Sequence, residues 1–295
     1  MTDKLNIKPC EFNSVVKKLR AFFDAKGFIE MHAQNRLSIL AACEDTENMV
    51  PYNYNNMKWP LPQTGQMWLE IELLKNIMSD CKEIYPGLYC VTTSYRNEKN
   101  PIPDRHDLIF PMFEFEMHGD MNDMIELEKE LLLYLGFKVP YLSFRAPFLQ
   151  NDFPEGDYLD IAEKYGVKEL EHEHETLLGQ EYGSVFFLKN FPEYTSPFWN
   201  MARDTQTNLA KKVDVIINGI ETIGSAQRSS DPVDMKNRFQ TISGGEYSKL
   251  LYTEFSQERV EKELNDFLSL HFVTRSGGGI GLTRLIRAMR QLNLL

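Results

Sequence analysis

The sequence predicts an α+β fold, a single domain in which an antiparallel sheet is flanked by helices. Three observations carry that expectation. Segments with apolar residues at helical spacing stand near both ends of the chain and between its β-like stretches; those stretches are rich in β-branched and aromatic residues; and most follow one another closely enough to pair as hairpins. Residues 12–26 place Val15, Val16, Leu19, Phe22 and Phe23 on one helical face, with Gly27 where a C-terminal cap belongs and a short strand following from Phe28 to His32. Residues 66–79 carry Met67, Ile71, Leu74 and Met78 at helical spacing. Gly87 to Arg96 and Phe110 to His118 then read as strands, joined by a polar, proline-containing loop too long for a tight turn. A helix over 121–135, with Ile125, Leu127, Leu131 and Leu135, closes this half. Further strands are expected at Ser184 to Leu188, Pro197 to Ala202, Lys212 to Ile217 and Thr222 to Gln227, then a helix near Ser256 to Leu270 and a last helix from about Gly281.

A chain of 295 residues with 42% hydrophobic residues can bury a large core, and no repeat or low-complexity linker divides it, so residues 1–295 read as one unit. Lys plus Arg total 32 against 43 Asp plus Glu, a net charge of -11 that argues against a broad electrostatic grip on DNA, RNA or an anionic membrane. No apolar run approaches the ~20 residues of a membrane helix, and the start MTDKLNIKPCEF lacks the pattern of a signal peptide, so a soluble, cytoplasmic protein is expected. Cys10, Cys43, Cys81 and Cys90 show no CxxC spacing and read as reduced thiols.

Three segments carry chemistry. In the first, Tyr95-Arg96-Asn97-Glu98 is followed by Arg105-His106, then by Phe110 and Glu114. Strand alternation lets Phe110, Glu114 and Glu116 share a face, so one sheet surface presents forked donors for phosphate, a ring to stack on a base, and carboxylate acceptors; a solvated hairpin with cross-strand ion pairs stands open beside that reading. The second, GGGIGLTR from Gly277 to Arg284, opens the last helix, and glycines at a helix N-terminus suit an anion, though taken alone the segment fits a plain helix cap or packing glycines better. It is neither a Walker loop nor a Rossmann fingerprint. The third places Asp214, Glu221 and Arg228 on a strand pair, able to hold Mg2+ between phosphates and to read a polar substrate group, or to face water at an edge.

In order and context these segments resemble motifs 2 and 3 and the intervening strands of class II aminoacyl-tRNA synthetases, specifically the aspartyl/asparaginyl subgroup, over roughly residues 20–290. The resemblance implies a class II synthetase-like catalytic domain using ATP and Mg2+. In it Arg96 holds the α-phosphate and Glu98 the adenine amine, while Arg105 and His106 reach the outer phosphates. Phe110 and Arg284 sandwich the adenine, Gly281 belongs to the ATP site, and Asp214 and Glu221 sit at the magnesium. Arg96, Arg284 and Glu221 are the residues that the resemblance makes catalytic, by positioning and charge neutralisation. For the amino acid it implies Glu44 at the α-amino group, Gln66 in the substrate loop, and Arg228 at the side-chain carbonyl. Aspartyl enzymes have a Lys where Leu69 stands; that change, with Glu70 as an acceptor for an amide, tilts the pocket toward an asparagine-like side chain. There are departures. The proline of motif 1 corresponds to Gln34, which bears on the dimer interface; the Pro-His before the motif 3 glycines is Arg275-Ser276; and the β-barrel anticodon-binding domain is expected to be missing.

The leading expectation is an ATP-dependent, AMP-forming ligase that activates aspartate, or asparagine, and passes it to ammonia or a small amine. The family includes asparagine synthetases that resemble an asparaginyl-tRNA synthetase core, and the GGGIG form of motif 3 is similar to asparagine synthetase A. A truncated tRNA synthetase and a non-catalytic amino-acid sensor are the alternatives; tRNA is possible but not favoured as a partner, and a homodimer is expected from the family. Glu171 to Glu175 (EHEHE) is weakly metal-like, and its His174-Glu175 also resembles a segment of the asparaginyl core. His32, His118 and His271 read as structural.

Overall fold

Helix α1 (Pro9–Ala25) begins where the sequence supplies a start. Pro9 brings a preset φ to the first turn, and Glu11 reaches back to accept from Lys8 N at 2.9 Å. The structure is a computed structural model, and it describes residues 7–33, 37–39, 48–78, 84–103, 105–139 and 152–295. The helix buries the predicted face, Val15, Val16, Leu19, Phe22 and Phe23. Phe23 is fully buried, its ring 5.0 Å from Phe113, 5.4 Å from Phe115 and 5.1 Å from Phe28; burying such a side chain contributes about 1.5–3 kcal/mol.

That contact seats α1 on a sheet of eight strands in the order β1-β4-β5-β10-β9-β8-β7-β6: β1 (Ile29–Glu30), β4 (Gly87–Tyr95), β5 (Ile109–His118), β10 (Arg275–Gly281), β9 (Ile220–Gln227), β8 (Ala210–Ile217), β7 (Val185–Phe191) and β6 (Glu155–Asp157). Neighbours are antiparallel except at the edges, where β1 lies parallel to β4 and β6 to β7. One face is covered by α1, α3 (Met121–Leu135) and α9 (Leu282–Gln291), whose apolar residues join Phe113, Phe115, Val213, Val215 and Ile280 in the main core. Helix α3 spans the residues expected, capped by Asp120, which accepts from Asn122 N and Asp123 N, and closed by Gly136 at φ 99°.

The other face carries the chemistry. Helix α2 (Gln66–Met78) lies across β4 and β5, and a second apolar cluster around Trp199, Phe239, Tyr247 and Phe267 is built with α6 (Pro232–Thr241), α7 (Glu246–Phe255) and α8 (Gln257–Leu268). Helices α4 (Tyr158–Tyr165) and α5 (His172–Tyr182) cover the β7 end. A separate hairpin, β2 (Pro51–Tyr54) and β3 (Met57–Pro60), turns through Asn55 and Asn56 at φ 50° and 59°, a left-handed pair that Asn tolerates.

Two expectations are corrected. Pro197 to Ala202 is not a strand: apart from an isolated bridge at Met201, its carbonyls are gathered by the Arg203 guanidinium, at 2.9 Å for Pro197 O, 2.8 Å for Phe198 O and 2.7 Å for Met201 O. Gly277 to Gly281 form the central strand β10 rather than a loop opening a helix, and only Gly281 caps α9. These glycines let neighbouring strands close in, since a Cβ on Gly278 would lie 2.9 Å from Gly224 O and one on Gly277 would collide with Phe115 O. The hairpin β2–β3 and helices α4 to α7 were not anticipated from the sequence. Among the described residues no helix is long and apolar enough to cross a membrane. Cys10 and Cys90 are free thiols; Cys43 and Cys81, with Gln34 and Glu44, lie outside the described residues.

Candidate active site

Strands β4 and β5 pair with Cys90 opposite Glu114, Thr92 opposite Met112 and Ser94 opposite Phe110. Alternation sends Phe113 and Phe115 into the core and turns Phe110, Met112, Glu114 and Glu116 to the other face, as the sequence pattern predicts. That face is not a solvated hairpin, because Glu114 and Glu116 are wholly buried.

A pocket opens over this face. At one end Arg96, Glu98, Phe110 and Arg284 line it together, with Gly281 beneath. Arg96 follows β4 directly, its backbone fixed by donation to Leu108 O at 2.8 Å, and its guanidinium lies 5.5 Å from the Phe110 ring centroid. Its Nε is buried without a hydrogen-bond partner, an unused donor that suits an anion. Glu98 meets His106 Nδ1 at 2.6 Å. Arg284, from the first turn of α9, donates through Nη1 to Glu221 O and through Nη2 to Arg105 O at 3.2 Å.

Beside the pocket, next to Glu221 and Arg105, lies an acidic cluster built by β8, β9 and α5. Asp214 is 7% exposed; Oδ2 accepts from Lys212 Nζ at 2.8 Å, and Oδ1 is buried without a partner. Burial above all, with the charges of Glu221 and Glu175 adding to it against the pull of Lys212, pushes its carboxyl up to about 7. Glu175 accepts from Glu221 N at 2.9 Å and from Arg105 Nη2 at 2.7 Å, and burial raises its carboxyl above the usual range. Arg105 also donates to Gly219 O at 3.3 Å. Glu175 was not among the candidate site residues; the sequence signals were the weakly metal-like EHEHE run and the resemblance of His174-Glu175 to a segment of the asparaginyl core. His174 in that run serves the helix start, its Nδ1 accepting from Glu171 N at 2.9 Å, while Glu171, His172 and Glu173 can bring ligand atoms within 4.8 Å of one another at a mostly exposed turn.

Beneath the remaining end lies a layer of buried ion pairs. Arg228 donates through Nη2 to Gln66 Oε1 at 2.7 Å and through Nε to Glu116 Oε1 at 2.9 Å. Next to this pair, Arg275 Nε donates to Glu70 Oε1 at 3.0 Å, and Asn200 Nδ2 donates to Glu70 Oε2 at 2.9 Å. Burial, with Glu70 adding to it, pushes the Glu116 carboxyl up to about 7 against the opposing charge of Arg228. Glu114 anchors the loop before α2, accepting from Gly65 N at 2.9 Å and from the hydroxyls of Thr64 and Thr92.

Of the residues singled out in sequence, Arg96, Glu98, Arg105, His106, Phe110, Glu221, Gln66, Gly281 and Arg284 line one pocket. Asp214 and Arg228 lie just behind its wall. Glu70 is placed differently from the expectation. It is fully buried with both oxygens engaged by protein groups, because the substitution that puts Arg275 before the motif 3 glycines supplies it with a cation. Leu69 does not face the pocket either, packing at 0% exposure with Ala33, Leu73, Leu88 and Cys90.

The comparisons with known proteins give the family and the fold. The sequence model for tRNA synthetases class II (D, K and N) matches residues 10–294. The asparagine--tRNA ligase of Pelotomaculum thermopropionicum is 26% identical over 292 residues, 92% of this chain and 62% of the relative. The aspartate--tRNA(Asp/Asn) ligase of Methanopyrus kandleri is 25% identical over 233 residues, 73% of this chain and 51% of the relative. The chain therefore spans about half to just under two thirds of these curated relatives. Asparaginyl-tRNA synthetase from Pyrococcus horikoshii, solved with asparaginyl-adenylate, shares the fold with a TM-score of 0.74 at 20% identity, covering 99% of this chain and 67% of that one. With its eight-stranded sheet and a family match running nearly end to end, the chain belongs to the class II tRNA synthetases of the D, K and N type.

Proposed function

We propose that the chain is an AMP-forming ligase that activates aspartate or asparagine as an acyl-adenylate and transfers it to ammonia or a small amine. The observation that carries the reading is Arg96, Phe110 and Arg284 around one pocket, with Arg96 Nε buried and unpaired. Arg96 holds the α-phosphate, Phe110 and Arg284 flank the adenine, and Glu98 accepts from its amine once His106 turns to the outer phosphates beside Arg105. Asp214 and Glu221 are the residues that would hold Mg2+, and the buried, unpartnered Asp214 Oδ1 fits a cation ligand. An ion held by these residues would supply positive charge to offset that of the phosphates.

The substrate carboxylate attacks the α-phosphorus in line; the bond to the bridging oxygen breaks and pyrophosphate departs with its electron pair. In the second step the amine nitrogen attacks the acyl carbon, AMP leaves with the C–O pair, and the amine loses a proton. No side-chain nucleophile takes part, and the protein contributes position and fixed charge. Gln66 and Arg228 form the side-chain end, with Glu44 at the α-amino group, and a homodimer built through the motif 1 region is part of the reading. The charges beneath that end support an amide side chain: Glu116 compensates Arg228, Glu70 compensates Arg275, and Leu69 brings no cation.

Transfer to tRNA is the second reading, favoured because the curated relatives are named as tRNA ligases. Pyrophosphate exchange with aspartate and asparagine separately, then product analysis with ammonia and with tRNA, decides between them. An amide formed from the activated amino acid and ammonia supports the lead, isoasparagine where the α-carboxylate of aspartate is adenylated and asparagine where its side-chain carboxylate is; esterified tRNA supports the second. An absence of exchange with any amino acid sinks both.

A further inference from the structure

Arg105 is expected at the outer phosphates, yet its guanidinium is engaged by Glu175 at 2.7 Å and by Gly219 O at 3.3 Å. Its side chain is only 15% exposed and that of Glu175 24%. Glu175 cannot easily retreat. Helix α5 is packed tightly on the β8–β9 turn, where Asn218 and Gly219 adopt φ 49° and 74°, and a Cβ on Gly179 would come within 2.7 Å of Gly219 N. The same Glu175 oxygen that holds Arg105 also accepts from Glu221 N at 2.9 Å. Three carboxylates, of Asp214, Glu221 and Glu175, thus meet two guanidinium groups, of Arg105 and Arg284, with Asp214 7% exposed and its Oδ1 unpartnered.

Resting on the nucleotide site proposed above, we propose that Glu175 is a positioning residue that holds Arg105 in reserve, releasing it to the outer phosphates when a divalent cation takes up the neighbouring carboxylates. Removing one partner's charge frees the other. Without a cation, Glu175 competes with phosphate for Arg105 and repels the nucleotide; with a cation, its charge adds to the attraction for the metal, and Arg105 exchanges one anion for another. Cation and nucleotide binding are thereby coupled, each favouring the other by the same factor.

The test uses the whole chain and readouts besides catalysis. Glu175→Gln keeps an acceptor for Glu221 N but removes the charge. ATP binding in EDTA by calorimetry should tighten by roughly fivefold to tenfold, whereas Mn2+ binding followed by electron paramagnetic resonance should weaken by a similar factor. A merely structural role moves both in the same direction, and that result overturns the proposal. Arg105→Gln is the second probe, needed if the first variant does not fold: Mn2+ alone should bind it more tightly than wild type, and unchanged or weaker binding overturns the idea. If wild type itself binds no ATP, the nucleotide site fails and this inference with it; if wild type binds ATP and the opposite-signed shifts are absent, only the role of Glu175 fails.

Discussion

Arg275→Met tests the ion pair beneath the side-chain end. Glu70 and Arg275 are both at 0% exposure, Glu70 Oε1 takes two donors from Arg275, and the guanidinium lies 4.7 Å from the Phe272 ring centroid. Removing Arg275 leaves the Glu70 carboxylate with the Asn200 amide at 2.9 Å and with Glu116 as a second buried carboxylate close enough to feel it. An uncompensated buried charge of this kind costs about 3–5 kcal/mol, a large share of the ~5–15 kcal/mol typical of a folded domain. Deleting both charges costs much less, because two desolvation penalties vanish together. Glu70→Leu with Arg275→Met leaves mainly the Asn200 amide unpaired, for about 1–3 kcal/mol. Urea unfolding of wild type, both single variants and the double variant gives the cycle. The coupling energy should exceed about 2 kcal/mol, with the double variant more stable than Arg275→Met alone. Additive losses would mean the two groups do not compensate each other, and the argument that Glu70 is unavailable to a substrate would fall.

Three further outcomes are expected. Glu128, on the core side of the sheet, has no well-aligned hydrogen-bond partner, and burial, with Asp214 adding, pushes it up from 4.5 to about 8 despite Ser225 nearby. Its folded value lies above the unfolded one, so its contribution is fully present below pH 4.5 and lost as pH rises through 8; Glu128→Gln should gain little at pH 4.5 and most near pH 9, with an upper bound of about 5 kcal/mol. Denaturation midpoints that do not diverge with pH refute this. Arg284→Ala should abolish pyrophosphate exchange while leaving the fold intact by circular dichroism, and surviving exchange refutes the ATP site. Leu69→Lys should not retarget the pocket toward aspartate: it puts an ammonium among Ala33, Leu73, Leu88 and Cys90, and a loss of several kcal/mol in thermal or urea unfolding is expected. A stable Leu69→Lys protein that prefers aspartate would overturn the placement of Leu69.

What the sequence reveals and what it conceals divide along contact range. The β4–β5 hairpin and α3 are legible because their periods of two and 3.6 are local properties, and Arg96, Glu98, Phe110 and Arg284 are legible because a nucleotide site built on one hairpin and one helix start leaves a compact motif. Central strand β10 is not legible. Its glycines carry no side-chain period, and their reason for being glycine is the nearness of Gly224, Ser225 and Phe115, which no local window contains. The role of Glu175 is hidden for the same reason, since this residue of the EHEHE run reaches Arg105 and Glu221 N only when α5 meets the β8–β9 turn. The sharpest case is Leu69-Glu70. From sequence both look like pocket residues, one turn along from Gln66, and the pair suggests a cation exchanged for an amide acceptor. On the helix, Gln66 and Glu70 share the face toward the sheet's buried charges, and Leu69 is rotated into an apolar cluster. Whether Glu70 meets a substrate or a neighbour then depends on Arg275, 205 positions away in the chain, and the arginine that stands there in place of proline settles it. A substitution in one motif has changed the meaning of a residue in another, so specificity here must be read from charge pairs rather than from single positions.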